Sequence, residues 1–228
     1  MASRLGLPLA PVLPAYLCPV PGPLYTVLMG YKEAPVDEAR RRFAGRVSRL
    51  FADFFVTHRT CLDEATGDGV DLIVPVPSSS RPGRASLEAV DGLGAASVAS
   101  VRPGASWAPG VLRRAEGGIG PMRPNAQAFA VPDSWRATVR GSRVLLLDDT
   151  YVSGARAQSA AAALRRRGAR AVVIVPLGRV IRPERFASHA AFVNGQPGGR
   201  AAGEVAGGTA ADGHRSRCRV VQTGAGRG

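Results

Sequence analysis

Cysteine and histidine are scarce in this chain, and so is lysine. The three cysteines, Cys18, Cys61 and Cys218, lie far apart and show no metal-ligand spacing, so no structural zinc is expected and a reducing, cytoplasmic setting fits. The three histidines, His58, His189 and His214, are equally isolated, so neither a zinc site nor a histidine-assisted nucleophile can be assembled from local spacing. No apolar run reaches transmembrane length, so no membrane partner is expected. Pro8, Pro11 and Pro14 would break a signal-peptide helix, and residues 1–23 read as an irregular arm. Lys32 is the one lysine among 30 basic residues, the rest being arginine.

Acidic residues are also few, 17 against those 30, which gives a formal net charge of +13. Such a charge attracts phosphorylated ligands or nucleic acid. The arginines are spread along the chain rather than gathered on one segment, and basic and aromatic residues do not alternate as they do where single-stranded bases stack. Most of the arginines are therefore read as solvated helix faces.

What is present begins with enough apolar material for a core: 228 residues, of which 45% are hydrophobic, suit one α/β domain with a tail. The organising stretch runs from Val144 to Arg156. Val144-Leu145-Leu146-Leu147 is an unbroken apolar run, read as a buried strand of a parallel sheet. Asp148 and Asp149 end it. Thr150, Tyr151, Val152, Ser153 and Gly154 form a short loop, and Ala155 opens an alanine-rich helix that closes on three arginines and Gly168. Ligands of open α/β sheets sit at the carboxyl ends of the strands. The N–H groups of the loop and the helix start suit a phosphate. The two carboxylates repel a phosphate, but they accept hydrogen bonds from sugar hydroxyls or help hold Mg²⁺ through water. One ligand satisfies both halves, a ribose carrying a 5′-phosphate.

The rest of the chain is read around that unit. Leu24 to Tyr31 reads as a short strand. Asp37 to His58 reads as a helix with Phe43, Val47, Leu50, Phe51, Phe54 and Phe55 on one face and arginines around it. Thr60 to Gly69 reads as a loop, and Asp71 to Pro77 as a second buried strand. Pro77, Ser78, Ser79, Ser80 and Arg81 follow, a turn whose hydroxyls, amides and arginine make a second anion site. Ser86 to Ser97 reads as a helix and Val98 to Val101 as a strand. The glycine-rich segment 117–121 reads as a flexible lid that would exclude water on closing, and Ala128 to Val131 as a strand. Ala171 to Leu177 is another parallel strand, and Gly178 to Ala191 reads as a closing segment with a short helix. Residues 24–193 thus form the domain, and the Gly/Ala/Arg-rich residues 194–228 a disordered tail.

Val144 to Arg156 resembles the phosphoribosyl-pyrophosphate (PRPP) loop of type I phosphoribosyltransferases: a hydrophobic strand, two acids, then a Thr/Ser-Gly turn. The strand DLIVPVP, the stretch Arg123 to Val131 and the lead-in LYTVLMGYKE are similar to the ComF-like branch of that family. The resemblance covers about Leu24 to Val180. It implies a type I phosphoribosyltransferase-like fold, a twisted and mainly parallel sheet flanked by helices under a hood loop. It also implies that PRPP binds with Mg²⁺, that Asp148 and Asp149 serve the ribose hydroxyls and the metal, and that residues 150–156 take the 5′-phosphate. Pro77, Ser78, Ser79, Ser80 and Arg81 would face the pyrophosphate. Transfer to an unidentified nucleophile, with release of pyrophosphate, would follow. The alternatives are a non-catalytic PRPP-binding or DNA-uptake accessory protein and an inactive paralogue. A homodimer is left open. The chain departs from the family in four places, the first being that the family's arginine-glycine-phenylalanine-asparagine-glutamine stretch after the pyrophosphate loop is not visible at Arg81 to Val90. Cys18 stands alone where ComF members carry paired cysteines that bind zinc. Arg156 stands where a Thr or Ser is usual. Val152 stands where purine-salvage relatives carry an aspartate base, which makes 6-oxopurine salvage a poor fit.

Overall fold

Apolar runs of four or more residues need a core on both sides, and three such runs lie side by side in this chain: 72–75, 144–147 and 171–177. The computed structural model describes residues 1–67, 69–77, 86–101, 104–115, 123–182 and 184–185. In chain order the elements are α1 (Ala2–Leu5), β1 (Tyr16–Pro19), α2 (Pro23–Glu33), α3 (Asp37–Thr57), α4 (Arg59–Thr66) and β2 (Leu72–Pro75). After a 3₁₀ turn at Leu87–Ala89 come α5 (Leu93–Val101), β3 (Ser106–Trp107), β4 (Arg113–Arg114) and β5 (Phe129–Ala130). The chain ends with a 3₁₀ turn at Asp133–Trp135, α6 (Arg136–Val139), β6 (Arg143–Tyr151), α7 (Ala155–Arg166) and β7 (Ala171–Ile181).

Five strands form one parallel sheet in the order β1-β7-β6-β2-β3, with β6 in the middle. β4 and β5 pair separately and antiparallel. Because a strand alternates its side chains, β6 serves two cores. Val144 and Leu146 belong to one with Ala157, Ala160, Ala161 and Leu164 of α7. Leu145 and Leu147 belong to the other with Leu28 of α2 and Phe51 and Phe55 of α3. Each such leucine or phenylalanine, once fully buried, contributes about 1.5–3 kcal/mol. The alanines of α7 leave room for the helix to lie close against the sheet.

At the amino ends of β2 and β6, Asp71 clamps Arg143. Its Oδ1 accepts from Nη2 at 2.9 Å, and its Oδ2 accepts from Nε at 3.1 Å and from the Arg143 backbone N–H at 2.7 Å. These hydrogen bonds hold the Asp71 carboxyl below its ordinary range. A depressed carboxyl contributes stability above its unfolded pKa and loses it as pH falls through the folded value. Asp71→Asn should therefore lower the urea midpoint at pH 7, and the gap to wild type should close below about pH 4. A gap that stays constant down to pH 3 would refute the clamp.

Several readings of the sequence need correction. Leu24 to Tyr31 is not a strand but most of α2. Pro23 occupies the first helical position, and Leu24, Leu28 and Tyr31 line one buried face. Thr60 to Gly69 is largely α4, and Val98 to Val101 continues α5 instead of forming a strand. The helix expected over Ser86 to Ser97 starts at Leu93, after the 3₁₀ turn. Gly178 to Ile181 extends β7. The arm is not irregular throughout: β1 pairs with β7, and the buried Gln158 side chain bonds both the N–H and the C=O of Ala10, at 2.9 and 3.0 Å. Two arginines read as solvated also reach back to it, Arg165 to the Pro8 carbonyl and Arg166 to the Leu5 carbonyl. The lid at 117–121 and the tail at 194–228 lie outside the described residues.

Candidate active site at the carboxyl edge of the sheet

β2 ends in the middle of the sheet's carboxyl edge while β6 runs on to Tyr151, so the chain leaving β2 passes beside the last residues of β6. Pro75 is in register with Leu147, and the Val76 N–H donates to the Leu147 carbonyl at 2.8 Å. Pro77 therefore leaves the sheet beside the acid pair, on the edge the sequence assigns to it. Ser78, Ser79, Ser80 and Arg81 lie outside the described residues.

Asp148 and Asp149 are both buried, at 3% and 7% exposure. Strand alternation turns Asp148 toward α7 and Asp149 toward α2. Asp148 Oδ1 accepts from Arg156 Nη2 at 2.5 Å and from the Asp149 N–H at 3.0 Å. Asp149 Oδ1 meets Lys32 Nζ at 2.7 Å and Arg156 Nη2 at 3.3 Å, and accepts from the Thr150 hydroxyl at 2.8 Å. Tyr31 donates its hydroxyl to Asp149 Oδ2. Two carboxylates, one ammonium and one guanidinium thus form a neutral cluster.

The electrostatics follow from this geometry. Burial alone would raise Asp149, but Lys32, Arg156 and Tyr31 outweigh it and hold the carboxyl below its usual range. Burial pushes Asp148 up to about 6, with Arg156 pulling against it. The Tyr31 hydroxyl is driven up by burial and by the Asp149 charge, so it stays protonated and donates. Arg156 is held protonated by Asp148.

The acids do not end the strand: β6 runs on through Thr150 and Tyr151 against β7, and the turn expected from Thr150 is only Val152 to Gly154. Val152 stands 68% exposed at its outer edge. Gly154 takes a left-handed conformation, φ +77°, and begins the twelve-residue α7. The Ala155 N–H donates to Ser153 Oγ at 3.3 Å, and the Tyr151 ring packs beneath the turn against Gly154. Past Tyr31 lies a cavity of about 220 Å³, whose walls carry Arg40 and Arg41 but also Asp37 and Asp91. That mixture selects no single charge.

Sequence reasoning singled out Asp148, Asp149 and residues 150–156, which the fold sets along the end of β6, the turn and the first residues of α7. It missed Tyr31 and Lys32. Their signal was present: a single lysine in an arginine-rich chain, next to a tyrosine in an apolar segment. The helical period that turns both toward Asp149 was hidden by the strand-like reading of that segment.

No family model matches the chain, and no curated protein matches it. Among the described residues no helix is long and apolar enough to cross a membrane.

Proposed function

We propose that the chain binds a sugar phosphate of the PRPP class at the carboxyl edge of its sheet. The fold would then be of the type I phosphoribosyltransferase kind. One observation carries the reading: the central strand carries paired acids near its carboxyl end and passes through the short turn Val152 to Gly154 into the N-terminus of α7, with Arg156 on its first turn. Backbone N–H groups of the turn and the dipole of α7 would serve a 5′-phosphate there, and Arg156 would add a guanidinium. Pro77 emerges beside the acid pair, which supports a pyrophosphate site in the serine-rich segment that follows it in the sequence.

Transfer would break the C1–O bond of the sugar, its electron pair leaving with pyrophosphate, while a nucleophile gives a lone pair to C1 and loses its proton. Positive charge developing on the sugar ring would lie near Asp148 and Asp149. A binding protein without transfer is the second reading, favoured by the internal pairing of both acids with Lys32 and Arg156. Pyrophosphate release across candidate acceptors separates the two.

Binding itself is tested with Ser153→Glu, which sets a carboxylate inside the turn at a half-buried position. PRPP affinity should fall by about tenfold or more through like-charge repulsion, and urea unfolding checks that the variant still folds. Equal PRPP affinity in the variant, or none in wild type, would defeat the proposal.

A further inference from the structure

The resemblance brings Mg²⁺ with it, so the acid pair is the place to ask whether a divalent ion fits. A hard cation needs carboxylate oxygens that face it with negative charge to spare. Here three of the four carboxylate oxygens already hold contacts: Asp148 Oδ1 with Arg156, Asp149 Oδ1 with Lys32, Arg156 and Thr150, and Asp149 Oδ2 with Tyr31. The cluster is neutral before any ion arrives, and Lys32 is buried with it. A divalent ion entering would place +2 against an ammonium and a guanidinium in a poorly solvated site. The donor set does not fit Mg²⁺.

We infer that Lys32 and Arg156 are the resident counter-ions of Asp148 and Asp149, and that the chain takes its sugar phosphate without a divalent metal on the acid pair. This rests on the sugar-phosphate reading above for its ligand, but the claim about the metal stands on the ion pairs alone. Arg156 is the pivotal residue. It sits on the first turn of α7, its Nη2 bridges both acids, and its side chain keeps 27% exposure at the phosphate turn. A guanidinium clamped by two carboxylates is pre-organised for a phosphate, since its orientation is fixed before the ligand binds.

The test has a metal arm and a ligand arm. Mn²⁺ alone is titrated into wild type and followed by its water-proton relaxation. The expected result is no site sensitive to Asp148→Asn. Arg156→Ser, which removes the more exposed cation and leaves Lys32 in place, should raise Mn²⁺ affinity by about tenfold or more. Wild-type Mn²⁺ binding that Asp148→Asn abolishes overturns the inference, whether or not the Arg156 variant folds. In the ligand arm, ribose 5-phosphate is titrated in EDTA and in Mg²⁺. Equal affinity supports the inference, and binding seen only with Mg²⁺ overturns it while sparing the sugar-phosphate reading. Failure to bind ribose 5-phosphate or PRPP under either condition defeats that reading, and the metal arm still decides the counter-ions.

Discussion

Lys32→Met should destabilise the fold by about 3–5 kcal/mol, the cost of taking the ammonium from a buried carboxylate that then keeps a guanidinium shared with Asp148 as its counter-charge. Lys32 is 9% exposed and sits 2.7 Å from Asp149, so water cannot replace it without opening the contact between α2 and β6. The methylene stem is conserved in shape by methionine, which isolates the lost charge from lost packing. Lys32→Met/Asp149→Asn should recover much of the loss, because removing both charges of a buried pair is far less costly than removing one. Lys32→Arg should recover less than charge alone would give, since a planar fork does not fill the place of a compact ammonium. Urea unfolding of the three variants reads this directly. A cost for Lys32→Met of under about 1 kcal/mol would mean that the pair behaves as a surface salt bridge.

That cluster also marks where the sequence was readable. The strand from Val144 and the helix from Ala155 were legible because length, apolar continuity and the Gly168 stop all agree; the strand's end was not, since β6 runs past the acids to Tyr151, where pairing with β7 holds it. β2 and β7 were legible too, since their apolar runs are too short for helices and lack polar interruptions. Leu24 to Tyr31 was not legible, since eight mostly apolar residues fit a buried strand or one face of a helix equally well by periodicity. Tertiary packing decides it: Leu28 and Tyr31 fill the space between α3 and the sheet. The acid pair was read as two groups waiting for a sugar or a metal. Nothing local to Asp148 and Asp149 reveals that a lysine and a tyrosine more than a hundred residues earlier satisfy Asp149. Arg156 lay within the motif and was placed at the phosphate; that its guanidinium also turns back onto Asp148 depends on the helix turn that follows Gly154.

Gly154→Ala should be costly for two separable reasons. At φ +77° an alanine pays for a left-handed backbone, about 1–2 kcal/mol. Its methyl would also collide with the hydroxyl and ring of Tyr151, which packs under the turn, and relieving that overlap costs about 1–3 kcal/mol more. The two parts come apart in a double-mutant cycle with Tyr151→Ala. In the Tyr151→Ala background only the backbone cost should remain, so Gly154→Ala should be milder there than in wild type. An identical cost in both backgrounds would show that the ring does not restrain the turn. Because Tyr151 also carries Arg179 over its ring at 5.7 Å, the cycle should be repeated with Tyr151→Phe. Phenylalanine keeps the ring, and with it most of the clash, so Gly154→Ala should stay nearly as costly as in wild type. The glycine is then required by the aromatic floor of the turn as much as by the turn itself. A ligand bound above that floor would meet a backbone held in place from below.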